Sequence, residues 1–424
     1  PGYVRWTERR NLACFLDLVA RERIDVDSLV SEVFAFEGAV EVYERMNEGA
    51  VAGVGFLFEY PAPVGGPAAA PRAPVASIRA ARPPSMAHRL RIGFLGAGNY
   101  ATSMLLPHLA AHEDVDLARV ATTTPLSAVN AQRKFGFVDA STDADALLDD
   151  DSLDAVFVVT RHRSHADLTC RALERGRAVF VEKPLGLSTA EVDRVADVVG
   201  TTGNARLMVG FNRRFAPMLV GMRERFGVSG GPMLIRYLVN AGPLAAGSWY
   251  ANAASEGSRF EGEGGHFIDA VSWWLGAEPV EVHALSTADP DDLLVNLRFD
   301  DGSIASIAYA THGNPRYPKE TFEAAAGGRT ARLDNFRRST VWTGRRRRRT
   351  GWALAAVDKG QRHQLEAFLA AVRSGGPMPI PLGSLLATTR ATLAVTASVA
   401  SGRPESCAPA GADEPGALLA TTPV

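Results

Sequence analysis

The chain has 424 residues, a formal net charge of −2, 46% hydrophobic residues and 22% charged residues. That length exceeds one ordinary domain, the near-neutral balance points to neither nucleic acid nor an anionic membrane as partner, and no apolar run approaches the roughly 20 residues of a membrane span. Cys14, Cys170 and Cys407 stand too far apart for a zinc or redox spacing, and the start of the chain lacks a signal pattern, so a cytoplasmic protein without a metal site is expected.

Taken in chain order, residues 1–60 hold an amphipathic stretch, "RNLACFLDLVARERIDVDSLV", then "FAFEGAVEVYERMNEG" and the strand-like "AGVGFLFEYP". Residues 61–88 are rich in Pro and Ala without helical periodicity and read as a semi-rigid linker. From residue 89 to 212 strands and helices alternate. "LRIGFLG" is a strand before a helix through Met104, Leu105, Leu106, Leu109 and Ala110. "VDLARVATTT", "LDAVFVVT", "AVFVE" and "LMVGFN" are four further strands, and the helices between them read "PLSAVNAQRKFG", "SHADLTCRALERG" and "STAEVDRVADVVG". This alternation predicts an α/β fold with a doubly wound parallel sheet. From 213 to 402 longer strands with hairpin signals such as Asp301-Gly302 predict a second α/β unit on a mixed or antiparallel sheet. Residues 403–424 read as a flexible tail. The run Arg345–Arg349 sits in a loop-like stretch without interleaved aromatics, so it reads as a solvated loop rather than a phosphate-binding patch.

The first strand runs into "GAGNYA", which sets Gly96, Gly98 and Ala101 in a G-x-G-x-x-A turn before a helix. The first glycine permits the tight turn and the second lets backbone approach a pyrophosphate, while a small third residue allows close helix–strand packing. Gly96, Gly98, Asn99, Tyr100 and Ala101 are therefore candidate contacts for NAD or NADP. The acid expected about 20 residues on, at the end of the second strand, is replaced by Thr122, Thr123 and Thr124. Those hydroxyls suit a ribose or a 2′-phosphate, which Arg133 or Lys134 could also reach. Equally, the threonines could only cap the helix at Pro125, so NAD and NADP both remain open.

"GFLGAGNYA", "DAVFVVTRHRSH", "AVFVEKPLGLS", "MVGFNRRFAP" and "GEGGHFIDAVSWWLG" occur in order through residues 90–402. In these motifs the chain resembles the Gfo/Idh/MocA oxidoreductases. The resemblance implies a Rossmann domain followed by an α/β domain on a large, open, mostly antiparallel sheet. It further implies hydride transfer between NAD(P) and a sugar, cyclitol or related polyol, in a homodimer or homotetramer joined through that sheet. Residues 1–60 resemble instead the C-terminal end of a zinc-type medium-chain alcohol dehydrogenase, on "VRWTERRNLACFLDLVARERIDVDSLV" and "GVGFLFEYP". They contain no zinc ligands, catalytic histidines or glycine-rich turn, and are expected to be the remnant of an upstream module.

Exchanging a proton with a substrate oxygen needs a titratable group, and positive charge must lie where alkoxide character develops. Lys183 closes the fourth strand, at the edge where ligands of open α/β sheets bind. The resemblance gives it a place beside the nicotinamide and the substrate oxygen, with Glu182 and Pro184 aiming it. Within "GEGGHFIDAVSWWLG", a helix from about Gly264 puts Phe267, Val271, Trp274 and Leu275 on one stripe and His266, Asp269 and Trp273 on another. Glu263 and Asp269 then fall one turn before and after His266, placed to orient the imidazole or raise its pKa. The family's usual aspartate four residues before this histidine is Gly262 here, and Glu263 stands three before, which argues against a standard inositol dehydrogenase site. Thr160 and His165 occupy positions where the family contacts cofactor, and Arg161, His162 and Arg163 make that turn basic. Arg213 or Arg214 would hold cofactor or an anionic substrate, or else form an interdomain ion pair. Asn240, Trp249 and Tyr250 are candidate sugar contacts. The basic residues near the cleft favour an acidic sugar or a sugar nucleotide as substrate. Two other readings stay open: a non-redox cofactor-binding regulator, and a glycosidase or elimination enzyme that recycles its NAD within each turnover.

Overall fold

The computed structural model describes residues 8–21, 23–51, 53, 55–60, 78–79, 89–227, 230–244, 253–352, 354 and 356–408. The chain divides into two compact units, Pro1–Ala73 and Pro74–Val424. The first holds α1 (Glu8–Ala20), β1 (Val30–Ala35), α2 (Ala39–Asn47) and β2 (Gly55–Glu59). β1 and β2 pair in parallel with α2 as the crossover; Val42 is buried, and the rings of Phe34, Tyr43, Phe56 and Phe58 pack on one another. No helix of the described residues is long and apolar enough to cross a membrane.

The second unit begins with β3 (Ile78–Arg79) and β4 (Leu90–Leu95). A π-helical turn at Ala101–Leu105 leads into α3 (Leu106–Ala110), then β5 (Val115–Ala121), α4 (Pro125–Phe135), β6 (Asp139–Ser141) and α5 (Ala144–Leu148). β7 (Ala155–Val158), α6 (His165–Glu174), β8 (Ala178–Val181), α7 (Thr189–Thr202) and β9 (Leu207–Val209) complete the winding. The sheet order is β3-β6-β5-β4-β7-β8-β9, parallel throughout except for β3. β7 and β8 are fully buried apolar runs, as strands covered on both faces must be. β6 and β3 extend the expected five strands, and β3 falls inside the stretch read as linker. Their two or three residues are too short to show a period in the sequence.

α8 (Pro217–Phe226) and β10 (Leu234–Asn240) follow, then the short helices α9 (Ala253–Glu256) and α10 (Arg259–Glu263) and the buried α11 (Gly265–Leu275). β11 (Pro279–Ser286), β12 (Leu293–Phe299), β13 (Ile304–Ala310), β14 (Glu320–Ala326), β15 (Arg329–Asp334), β16 (Arg338–Thr343) and β17 (Arg346–Gly351) come next. α12 (Gln361–Ser374), α13 (Leu382–Ser401) and β18 (Glu405–Ser406) end the described chain. The nine strands run in the order β17-β16-β15-β14-β10-β13-β12-β11-β18, antiparallel except for β10 beside β13. The turn through Asp301-Gly302 joins β12 to β13 as expected, with Gly302 at φ +83°. Along β12 every second side chain is buried, so one face packs on helices. Leu234, Leu294 and Ile304 stand exposed on the other face.

Three boundaries differ from the sequence reading. Arg346–Gly351 is an edge strand and no loop: Arg347 pairs with Trp342 and lies over its ring. Charge on both sides of that strand erases the apolar alternation that marks strands, and it also blunts the edge against further pairing. The stretch read as tail continues the sheet, because Glu405 and Ser406 pair with β11 and Cys407 is buried. Last, α12 belongs to the Rossmann core despite following the second sheet. Phe368 packs edge-on against Phe157 and Phe180, and Gln364 Nε2 donates to the Val209 carbonyl at 3.1 Å. α13 then spans both cores, with Leu385 and Leu386 in the first and Ala391, Ala394 and Val395 in the second.

Candidate active site

The parallel winding carries the carboxyl ends of β4, β5, β7 and β8 to one edge of the sheet, and the candidate residues gather there. Gly96 has φ +89°, and a Cβ on it would stand 2.4 Å from the Val159 carbonyl oxygen. Only glycine fits that crossing of the two neighbouring strands. A Cβ on Gly98 would meet nothing within 4 Å, so this backbone faces open space, as a turn that receives a pyrophosphate must. Asn99 begins the following helix, and its carbonyl accepts hydrogen bonds from the Thr102 and Ser103 hydroxyls. Ala101 is fully buried against the sheet. Tyr100 lies beside Glu182, and burial together with that carboxyl pushes its phenol well up.

Lys183 follows β8 directly. Its Nζ donates to the Gly262 carbonyl at 2.7 Å. The Lys183–Pro184 peptide is cis. Glu182 is buried with its carboxylate over Gly210. Burial raises its pKa to about 7, against the pull of the Lys183 charge. His165, expected to touch cofactor, lies in the wall of the site between the lysine loop and the turn after β7. It is fully buried, with Nδ1 2.7 Å from the Pro184 carbonyl and Nε2 3.1 Å from the Thr160 carbonyl. One ring thus braces the lysine loop against the turn after β7. The Thr160 hydroxyl shares a 2.7 Å bond with Ser164. His162 is also buried, with Nδ1 2.7 Å from the Glu256 carbonyl.

His266 stands in the first turn of α11, edge-on to Phe211 just past β9. Among the described residues its Nδ1 is buried without a hydrogen-bond partner, an orphan of the kind a ligand hydroxyl satisfies. Burial drives its pKa well below the usual value, and the charges of Arg213, Lys183, Lys359 and Lys319 add to the effect. The sequence reading gave Glu263 and Asp269 to this histidine, and the structure corrects both. Asp269 accepts from Arg214 through both oxygens, at 2.6 and 2.9 Å, in a pair shut away from solvent. Glu263 accepts from the Tyr309 hydroxyl at 2.9 Å and lies 3.9 Å from Arg259. Helical spacing put these acids one turn from His266, but Arg214 holds Asp269 and the Tyr309 hydroxyl holds Glu263, and His266 is left in a cationic surrounding.

Arg213, proposed for cofactor, is likewise held in the interior. It pairs with Glu320 at 3.1 Å and donates to Asn212 at 2.9 Å. Glu320 also accepts from Lys359 and from the Tyr237 hydroxyl. Although burial works against it, Arg213 and Lys359 hold the Glu320 carboxyl down to about 2. This network ties the end of β9 to β14 and to the loop before α12, so Arg213 and Arg214 both take the ion-pair alternative. Glu320, Lys359 and Tyr237 left no local signal in the sequence, since Glu320 lies 107 residues from Arg213, 83 from Tyr237 and 39 from Lys359. Thr122 turns its hydroxyl to the Thr124 carbonyl at 2.7 Å, while Thr123 and Thr124 are exposed. Asn240 donates to the Asn314 carbonyl at 2.8 Å. Trp249 and Tyr250 lie outside the described residues.

Buried histidines make stability depend on acid. His162 is lowered to about 3 and His165 to about 4 by burial, and His266 is well below its usual 6.5. Below pH 6.5 the unfolded chain takes up protons at these three sites and the folded chain does not, so stability falls as pH falls. Glu182 acts in the opposite sense, because its folded pKa of about 7 exceeds the unfolded value, and Asp269 and Glu278 follow it with smaller shifts. With three histidines against Glu182 and its two lesser followers, stability is expected to fall between pH 6.5 and 5. Urea melts at half-unit steps from pH 7.5 to 5 measure this, and a midpoint that holds steady or rises toward pH 5 contradicts it.

With this geometry in hand, similarity adds a second line. A family described as "Oxidoreductase family, NAD-binding Rossmann fold" (GFO_IDH_MocA) matches residues 90–211. Inositol 2-dehydrogenase 2 of Paenarthrobacter aurescens is 26% identical over 319 residues, 70% of this chain and 91% of that protein. Inositol 2-dehydrogenase of Rhizobium meliloti is 28% identical over 301 residues, 68% of this chain and 89% of its own. The crystal structure of a putative myo-inositol dehydrogenase from Sinorhizobium meliloti superposes with a TM-score of 0.62 at 26% identity. The match covers 75% of this chain and 100% of that one.

Proposed function

We propose that this chain, whose residues 90–211 belong to the Gfo/Idh/MocA oxidoreductases, transfers hydride between NAD(P) and a secondary alcohol or ketone of a sugar or cyclitol. The observation that carries the reading is the orphaned, buried Nδ1 of His266 beside the tethered ammonium of Lys183. The open backbone at Gly98 fits a pyrophosphate, and Gly96, Asn99, Tyr100 and Ala101 would hold it. The nicotinamide of a dinucleotide held there would supply the hydride acceptor for an alcohol carbon, or the donor for a ketone.

The protein groups handle the oxygen. Burial and neighbouring cations keep the His266 imidazole neutral at neutral pH, so its free nitrogen can accept the hydroxyl proton. Lys183 places positive charge where the oxygen becomes negative, and the Gly262 carbonyl fixes its position. His165 keeps the lysine loop in register through the Pro184 carbonyl. Because Gly262 offers no carboxylate, His266 works without the acid partner of the usual pattern, and its lowered pKa makes the proton it gains easy to give up. The inositol dehydrogenases among the relatives make cyclitols the first substrates to try.

The test is direct. Purified protein is mixed with NAD or NADP and a series of inositols, aldoses, uronates and sugar nucleotides, and reduced nicotinamide is followed by absorbance. At least one alcohol should give net reduction, and His266→Ala should abolish it while dinucleotide binding persists. A substrate consumed without net reduction supports internal NAD recycling instead, and no turnover of any compound overturns the reading.

A further inference from the structure

The notable absence at the end of β5 has a structural counterpart. An open cleft runs from the phosphate turn along α4, lined by Ala97, Thr102, Thr124, Ser127, Asn130 and Lys134 among others, with no carboxylate in its wall. α4 itself contains no acidic residue, and its last turn is basic. The hydroxyls at its head are available. Thr124 occupies the N-cap position without making a side-chain cap bond, so the capping role considered for it is not realised. Among the described residues neither the Thr123 nor the Thr124 hydroxyl enters a hydrogen bond, whereas Thr122 spends its own on the Thr124 carbonyl. Lys134 forms no ion pair among the described residues, and its ammonium rests 5.1 Å from the Phe135 ring centroid. Arg133, the other candidate cation, does not line the cleft. The acids on the neighbouring strand and turn are engaged elsewhere, Asp139 by Arg119 and Asp143 as the cap of α5.

This is the place where a Rossmann fold meets the adenosine ribose. A carboxylate here accepts from the 2′-hydroxyl and repels a 2′-phosphate. Hydroxyls, a helix N-terminus and an ammonium do the reverse, since they donate to phosphate oxygens and balance their charge. Ser127 and Lys134 are seven residues apart on α4, hence on one face, and helical side chains lean toward the N-terminus. We infer that Thr124, Ser127 and Lys134 of the cleft, with the exposed Thr123 next to them at the end of β5, form a subsite for the 2′-phosphate, which makes NADP the preferred dinucleotide. The inference rests on the dinucleotide reading above and narrows it.

Calorimetric titration with NADP, NAD, 2′,5′-ADP and 5′-AMP tests it without reference to turnover. The wild-type protein should bind NADP at least about tenfold more tightly than NAD, and 2′,5′-ADP more tightly than 5′-AMP by a similar factor. Lys134→Ala should weaken NADP and 2′,5′-ADP by about tenfold and leave NAD within about twofold. Thr123→Asp should reverse the preference. NAD binding as tightly as NADP, or Lys134→Ala weakening both alike, overturns the subsite while leaving the dinucleotide reading intact. Binding of neither dinucleotide overturns both.

Discussion

Lys183→Ala is expected to lower kcat by about a thousandfold, the middle of the range for a positioned proton-transfer or charge-stabilising group. Dinucleotide affinity and the urea midpoint should change little. The side chain reaches from the end of β8 to the carbonyl of Gly262, so two roles compete for it: charge beside the substrate oxygen, or a strut between the halves of the second unit. A strut would show itself as lost stability with kcat retained in the remaining folded protein. Lys183→Met keeps most of the apolar stem and discards the charge, so it should fail as badly as alanine if charge is what matters. Lys183→Arg should recover little, because a planar fork cannot reproduce a single ammonium aimed at one carbonyl. Steady-state kinetics alongside urea melts separate these outcomes. A kcat within about tenfold of wild type for Lys183→Met would falsify the assignment.

The second large effect is expected at Asp269, and it is one of stability. Asp269→Ala leaves the Arg214 guanidinium buried without its two acceptors, a defect that typically costs about 3–5 kcal/mol. Both partners are almost wholly out of solvent, at 0% and 7% side-chain exposure, so water cannot compensate. Arg214→Met with Asp269→Leu together should recover much of the loss, because an apolar pair in the same space removes both charges at once. Had Asp269 served His266 as its spacing suggested, its replacement would depress kcat and leave stability alone. Denaturant midpoints of the single and double variants, set beside kcat of the folded fraction, decide between the two. A single variant as stable as wild type but inactive restores the catalytic role.

These two residues also show what local sequence can and cannot carry. Lys183 was legible because an apolar strand ending in a charge is a local pattern, and the edge on which such strands end follows from parallel winding. The glycine turn was legible for the same reason, since strand, turn and helix are contiguous. Asp269 was misread because helical spacing reports which residues share a face and says nothing about which distant cation reaches them first. Arg214 is 55 residues away, and Glu320 is 107 residues from Arg213. The five-arginine stretch failed for a different reason. An edge strand exposed on both faces has no buried side to impose alternation, so its pattern is indistinguishable from a loop. β3 and β6 were missed through brevity alone.

The placement of α12 bears on how the molecule is made. The helix that seals Phe157 and Phe180 is encoded at residues 361–374, after every strand of the larger sheet except β18. A ribosome emitting this chain in order presents the Rossmann strands well before α12, and their apolar surface waits while about 150 further residues are synthesised, roughly eight to thirty seconds at about 5–20 residues per second. Folding of the nucleotide-binding half therefore cannot close as an early, independent event. Both halves should mature together near the end of translation, and shortening the chain before α12 should strand the entire second unit as an aggregation-prone intermediate.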